Sequence, residues 1–176
     1  MQYIFTTTDC GETIRPHKLE FTPKSIVFDE RVNDIFLIHD LKSDQKSLHV
    51  TKNYGETFSP VSDYVKAFFL KSQSDHTKIY IQRFQPSKID NPTNEDSKEA
   101  EEKIDFKCDK NCLTTILASR NYFERHIDVE ILYQDAIDFQ MHGDYMFVTS
   151  KSQDTEKGKD HLELKLSAHG LSLIHI

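Results

Sequence analysis

The 176-residue sequence has no excess of positive charge, because 22 Lys and Arg stand against 29 Asp and Glu, giving a net charge of −7. The basic residues are scattered among acidic neighbours, so no basic stripe could neutralise a phosphate backbone, and this argues against nucleic-acid binding. No apolar run approaches the roughly 20 residues that cross a bilayer. The first five residues already follow a strand pattern and lack the charged and apolar regions of a signal peptide.

Cysteine is scarce as well, with three residues in the chain. Cys108 and Cys112 could close a small loop as a disulfide, leaving Cys10 unpaired, or all three thiols could be reduced. No second pair of ligands lies at zinc-site spacing, so we expect neither a metal nor another cofactor. The chain also lacks an Asn-x-Ser/Thr glycosylation signal, since Asn91 is followed by Pro92.

Two eight-residue stretches repeat one pattern 44 residues apart, TTDCGETI at residues 7–14 and TKNYGETF at residues 51–58. Each reads Thr-x-Asp/Asn-x-Gly-x-Thr followed by a large apolar residue, a pattern called an Asp-box. The Asp9 or Asn53 side chain can accept hydrogen bonds from backbone amides two or three residues later. The glycine supplies the positive φ that a tight turn needs. The pattern therefore predicts two self-closing hairpins.

A third, degraded copy begins SRNYF at residues 119–123 and has Phe123 where glycine would stand. We expect this turn to rely on packing alone. Turn chemistry explains every position that the copies share. We therefore predict a structural role and no direct ligand contact for the box residues. These residues are Asp9, Gly11, Thr13, Asn53, Gly55, Thr57 and Asn121.

Between the turns, apolar residues occur in short runs rich in β-branched and aromatic side chains. Residues 22–29, 35–38, 47–50 and 58–61 predict four strands, and the run 35–38 is apolar on both faces, which predicts burial from both sides. Four antiparallel strands in every forty-odd residues are typical of a β-propeller blade. We therefore predict an all-β fold, part of a multi-bladed β-propeller.

Further runs predict strands at residues 64–70, 78–84, 113–118, 129–132, 136–141, 145–149 and 161–167. Residues 88–110 are rich in Lys, Asp and Glu and predict a solvated acidic insertion, with a short helix over 94–103. Residues 150–160 predict a long polar loop. The predicted domain, residues 1–170, comprises the end of one blade (1–20, called the leading hairpin below), a first blade (21–62), a second blade with the acidic insertion (63–134) and an incomplete third blade (135–170).

The last six residues, LSLIHI at 171–176, are predicted to be a sequencing-adaptor artefact. They can be back-translated as CTG TCT CTT ATA CAC ATC, which resembles a transposon end used in sequencing libraries. We leave them out of the fold prediction. A genomic sequence that continues through the same six codons would refute this hypothesis.

Several segments, taken in order, resemble the luminal propeller of the sortilin family. They are FTTTDCGETI (5–14), VKAF (65–68), IYIQRFQPS (79–87), IDFQ (137–140) and DYMFVTSK (144–151). The resemblance covers residues 1–170 and implies a ten-bladed propeller in a type I membrane sorting receptor. Such receptors cycle among Golgi, endosomes and the cell surface, bind peptides and propeptides, and release them on acidification. Asn53, Phe123 and Ile14 depart from the family's usual Asp, Gly, and Trp or Phe.

Two other classes of Asp-box propeller are alternatives, namely a sialidase-like glycosidase and a soluble protein-binding scaffold. The glycosidase needs an arginine cluster and a tyrosine nucleophile with an acidic partner. The chain has five arginines, two of which (Arg120 and Arg125) fall in or beside a hairpin turn, and it has no Phe-Arg-Ile-Pro motif. We therefore expect a receptor without catalytic residues.

Partners are predicted only by class. We expect peptide, propeptide or protein ligands, the remaining blades of the same ring, no nucleic acid, and membrane contact only through a segment outside this chain. The ligand-binding residues are not identified by the sequence. Nine histidines invite the idea of a pH switch, but we expect most of them to be ordinary surface residues.

Overall fold

A computed structural model of the chain describes residues 2–40, 45–73, 75–85, 112–124, 128–154, 159–168 and 174–175. The regular elements of these ranges are β-strands, arranged in three antiparallel sheets. The all-β prediction is confirmed, and the succession of short strands and tight turns is that of part of a β-propeller. No helix long and apolar enough to span a membrane occurs among the described residues.

The leading hairpin and the first blade form the first two sheets. The leading hairpin pairs β1 (Gln2–Thr6) with β2 (Arg15–Leu19). The first blade is a four-stranded meander in which each strand pairs with the next. Its second strand, β4 (Phe36–His39), is buried at all four positions, so the prediction of a strand covered on both faces is confirmed. The strands of this blade are β3 (Ser25–Phe28), β4 (Phe36–His39), β5 (Leu48–Thr51) and β6 (Ser59–Ser62).

The residues predicted to form the second and third blades lie in one seven-stranded sheet whose strands follow the sequence order, and we keep these names for its two parts. The prediction of separate strands at 129–132 and 136–141 is wrong, because a single strand covers both ranges and changes partner on the way. The pairing with the preceding strand reaches Ala136, where the pairing with the following strand begins, so no residues are left to form a loop. The strand instead bends at Asp135, which has a φ of 59°. The strands are β7 (Val65–Ser72), β8 (Thr77–Phe84), β9 (Thr114–Ser119), β10 (Glu130–His142), β11 (Tyr145–Asp154), β12 (Lys159–Ala168) and β13 (Ile174–His175).

The polar loop predicted over residues 150–160 is shorter in the structure. β11 continues to Asp154 and β12 begins at Lys159, with paired positions from Ser150 and Glu163 to Asp154 and Lys159. Backbone pairing extends a hairpin regardless of side-chain polarity, and polarity alone therefore misplaced the strand ends. The predicted acidic insertion (88–110) and its predicted helix (94–103) lie within residues 86–111, which are outside the described residues. The adaptor hypothesis for residues 171–176 stays a prediction.

Neighbouring blades share apolar cores. Because successive residues of a strand face opposite sides, Ile79 and Ile81 of β8 face the first blade while Tyr80 faces the third. The core between the first and second blades contains Leu37, Leu48, Val50, Val65, Ile79 and Ile81. The core between the second and third blades contains Tyr80, Ile116, Ala118, Ala136, Phe139, Met146 and Val148.

The two outer faces of this stack carry exposed apolar side chains. On the leading hairpin, Phe5 is 66% exposed, and on the third blade Leu162 is 68% exposed. Tyr3, Tyr145 and Leu164 are exposed on the same faces. Each blade interface inside the stack buries residues of this kind, so both outer faces have the composition of a blade interface.

Candidate functional site

The three Asp-box turns occupy equivalent places between the third and fourth strands of successive repeats. In the leading hairpin Thr6 pairs with Arg15, and in the first blade Val50 pairs with Ser59. The pair that closes the third turn is Ala118 with Glu130, so this turn is three residues longer. We number box positions from the Thr or Ser that begins each turn, which makes Asp9, Asn53 and Asn121 the third position.

A hydroxyl at box position 1 closes each turn. The backbone N–H of Gly11 donates to Thr7 Oγ1 at 2.8 Å, and that of Gly55 donates to Thr51 Oγ1 at 2.9 Å. In the third turn, the N–H of Phe123 donates to the Ser119 hydroxyl at 3.1 Å. The sequence pattern alone did not single out these hydroxyls, although a Thr or Ser begins all three copies.

The side chain at box position 3 accepts a hydrogen bond from an amide further along the chain than the sequence predicted. Asp9 Oδ1 accepts from the Thr13 N–H at 2.9 Å, and Asn53 Oδ1 accepts from the Thr57 N–H at 3.0 Å. These amides lie four residues later, not two or three, because the position-5 amide already donates to the position-1 hydroxyl. Hydrogen bonds from Thr13 lower the pKa of Asp9 from 3.8 to about 2.

Asn53 replaces the usual Asp and keeps the hydrogen bond from the Thr57 amide. Its Nδ2 donates to Thr57 Oγ1 at 3.0 Å, whereas the Thr13 hydroxyl of the first turn donates to the Asp9 carboxylate. The direction of the second hydrogen bond is thus reversed while the turn keeps its shape. Gly11 and Gly55 have φ of 94° and 90°, as the pattern predicted.

The third turn does not rely on packing alone, and that prediction is corrected. Phe123 adopts a left-handed φ of 62° and keeps its hydrogen bond to the Ser119 hydroxyl. Asn121 donates through Nδ2 to Asp128 at 2.6 Å. Tyr122 and Phe123 also pack against the core between the first and second blades, which offsets the strain of a bulky left-handed residue.

The turns also connect neighbouring repeats through charged side chains. Lys52 Nζ of the second turn lies 2.6 Å from Glu124 Oε1 of the third, and 4.8 Å above the Tyr122 ring. Arg15 of the leading hairpin lies 3.8 Å from Glu56 of the second turn. Glu56 and Glu124 both stand at box position 6, so the same position receives a cation from the preceding repeat twice.

A buried carboxylate joins the first and second blades. Asp29, 2% exposed, accepts from the Arg31 N–H at 2.8 Å, the Thr77 hydroxyl at 3.0 Å and the Tyr122 hydroxyl at 2.5 Å. Burial alone would raise the pKa of Asp29, but the hydrogen bonds outweigh it and the pKa lies below 3.8. Burial and the bond to Asp29 raise the pKa of Tyr122. The sequence contained no local signal for this contact.

Two histidines lie inside the stack, so the expectation of surface histidines does not hold for them. His39 Nε2 lies 3.0 Å from the Val65 carbonyl oxygen, and the His49 ring stacks on Phe21 at 4.0 Å. Burial lowers the pKa of both histidines. Both rings are therefore neutral near pH 7.

The two described cysteines differ in state, and the potential metal ligands are dispersed in the part of the chain that the structure describes. Cys112 is disulfide-bonded, and Cys10 is an exposed free thiol at box position 4 of the first turn. Cys108 lies outside the described residues, so its pairing with Cys112 stays a prediction. Within those residues no three His, Cys, Asp or Glu side chains are grouped to hold a metal ion.

The strand that opens the first blade presents the clearest candidate surface for a ligand. β3 lies at the edge of its sheet, and its residues Ile26, Val27 and Phe28 are 41%, 37% and 59% exposed. An edge strand offers unpaired N–H and C=O groups to an extended chain. β7, which opens the second blade, is also an edge strand.

Comparison with known proteins agrees with this architecture. The family model described as "Sortilin, neurotensin receptor 3" (Sortilin-Vps10) matches residues 1–173. Sortilin-related receptors of Oryctolagus cuniculus and Mus musculus are each 22% identical over 150 residues, and that of Homo sapiens is 21% identical. The aligned region covers 84% of this chain and 6% of each receptor. The chain belongs to the Sortilin-Vps10 family and forms part of a sortilin-type β-propeller.

Proposed function

We propose that this chain contributes to the ligand-binding propeller of a sorting and endocytic receptor. In this proposal the receptor binds peptides or propeptides and carries them between Golgi, endosome and cell surface. The observation that carries the proposal is the exposed apolar edge of β3, where Phe28 is 59% exposed at the first strand of a blade. Its composition and free edge suit an extended peptide with apolar side chains.

The proposal places the chain on the luminal or extracellular side of a type I membrane protein, and it assigns no catalytic activity. Membership of the Sortilin-Vps10 family supports both parts of the proposal. The box turns contribute to blade geometry, because their side chains are engaged in hydrogen bonds within the turn. Binding is therefore assigned to the edge strands and away from the box rim.

A pair of synthetic peptides tests this proposal. The probe is a fluorescein-labelled decapeptide of alternating Val and Thr, and the control is the same peptide with every backbone amide N-methylated, which leaves no N–H to pair with a strand edge. Fluorescence anisotropy should detect binding of the first peptide and not of the second. Equal binding of both peptides, or no binding of either, would contradict edge pairing.

Matched variants locate the binding surface. Phe28→Ala should weaken binding of the unmodified peptide several-fold, because it removes apolar contact area beside the edge. Tyr145→Ala is the control, since Tyr145 is 49% exposed but lies on β11, which pairs with a strand on each side. If Tyr145→Ala weakened binding as much as Phe28→Ala, the peptide would be adsorbing to any exposed apolar face.

A further inference from the structure

The exposed edge strand β3 makes few contacts of its own that would keep it paired. It contains four residues, pairs with β4 at the edge of its sheet, and has three apolar residues that are between 37% and 59% exposed. A strand with little buried apolar surface and one hydrogen-bonded side opens locally at a low free energy. An open strand cannot offer a regular row of N–H and C=O groups to a peptide. The pairing of β3 therefore depends on the contacts made at its ends.

Asp29, the residue that follows β3, makes such contacts through both its backbone and its side chain. Its N–H donates to the Ile35 carbonyl oxygen at 3.0 Å, which continues the pairing with β4 by one residue. Its buried carboxylate accepts hydrogen bonds from two residues of the second blade, Thr77 at 3.0 Å and Tyr122 at 2.5 Å. One residue thus connects the end of β3 both to its own sheet and to the next blade.

Tyr122, one of the two donors to Asp29, contacts the first blade a second time. It stands at box position 4 of the third turn, and Lys52 of the second turn lies 4.8 Å above its ring. Lys52 also lies 2.6 Å from Glu124 of the same turn as Tyr122. The Tyr122 side chain therefore lies between two parts of the first blade, Asp29 after its first strand and Lys52 after its third, and these contacts fix the position of its hydroxyl.

We propose that Asp29 is a positioning residue for the β3 edge, and that its hydrogen bonds to Thr77 and Tyr122 keep β3 in the extended, paired form that a peptide needs. Hydrogen bonds to an ionised acceptor are about twice as strong as those between neutral groups, so a carboxylate suits this attachment. The second blade then determines how well the first blade presents its edge. The role of Asp29 in binding rests on the proposed function, whereas the attachment of β3 is testable without a ligand.

Native-state hydrogen exchange of the Asp29 amide tests the attachment in the 176-residue chain. Thr77→Val removes one donor to Asp29 at nearly constant volume, and Thr77→Ser keeps the hydroxyl as the matched control. We expect Thr77→Val to speed this exchange about tenfold or more, and Thr77→Ser to change it by less than about twofold. The Gly55 amide, which donates to Thr51 Oγ1, is the internal reference and should change little in either variant. Equal exchange of the Asp29 amide in the two variants, or equal acceleration at Gly55, overturns the proposal.

Peptide binding to the same variants tests the positioning role. Thr77 is buried and lies on β8, so its variants remove no contact at the exposed β3 edge. With the decapeptide of alternating Val and Thr, fluorescence anisotropy should give a Kd about three- to tenfold higher for Thr77→Val, and Thr77→Ser should restore the original Kd. Faster exchange at Asp29 with an unchanged Kd would overturn the role in binding. If the decapeptide does not bind the unmodified chain, the proposed function fails, and hydrogen exchange still decides whether Asp29 attaches β3.

Discussion

Replacing Gly55 by Ala tests how closely the second box turn packs against its neighbours. An added Cβ would lie 3.3 Å from Phe36 Cζ and 3.6 Å from Thr6 Cγ2. Gly11 is a matched control, because its φ of +94° resembles the +90° of Gly55 while nothing lies within 4 Å of an added Cβ. The left-handed backbone costs both variants about 1–2 kcal/mol, and overpacking adds about 1–3 kcal/mol at Gly55 alone.

We therefore expect Gly11→Ala to lower the free energy of unfolding by about 1–2 kcal/mol and Gly55→Ala by about 2–5 kcal/mol. Pulse proteolysis in urea at submicromolar concentration measures both values, since dilution limits association through the outer faces. Phe36→Leu, which shortens the side chain, should recover part of the additional loss when combined with Gly55→Ala. Equal losses at the two glycines would refute the packing argument.

Four further predictions follow from the buried groups, the first turn and the outer faces. Tyr122→Phe removes a donor to Asp29 and should cost about 1–3 kcal/mol at pH 7 by urea unfolding, a difference that shrinks below pH 3.8 as the carboxylate is protonated. The lowered pKa of His39 means that its contribution to stability is complete above pH 6.5 and declines as the pH falls below it. The urea midpoint of His39→Gln should therefore change less between pH 7.5 and pH 5.5 than that of the unmodified chain, and an equal change would contradict this. Asp9→Ala should speed hydrogen exchange at the Thr13 amide more than Asp9→Asn does, because Asn keeps an acceptor oxygen. The protection that Asp9 gives should fade as the pH drops from 3.8 toward 2. Equal exchange in both variants would argue against the hydrogen bond from the Thr13 amide to the Asp9 side chain. The chain should scatter light increasingly with concentration because both outer faces are apolar, and a monomer with one sharp melt would oppose this prediction.

Local patterns allowed much of the fold to be predicted. The apolar run at residues 35–38 predicted a strand covered on both faces, and the structure buries β4 along its length. The box at residues 51–58 predicted a tight turn, because its hydrogen bonds join residues at most four positions apart. Such contacts need no knowledge of the rest of the chain.

Contacts between distant residues could not be predicted in this way. Tyr122 reaches Asp29 across 93 residues, and neither position has a sequence pattern that marks the contact. The burial of His39 likewise depends on the Val65 carbonyl of the next blade. The continuity of β10 through Asp135 results from the close succession of two blades, which side-chain periodicity does not reveal.

The equivalence of the three box turns underlies the division of the chain into repeats, and native-state hydrogen exchange tests this equivalence directly. The position-5 amides of Gly11, Gly55 and Phe123 each donate to the hydroxyl at position 1. We predict slowed exchange at all three amides, and slowest exchange at Gly55 because it is buried. Exchange of the Phe123 amide at the rate of an unfolded peptide would contradict the assignment of a third box, and with it the repeat on which the blades are defined.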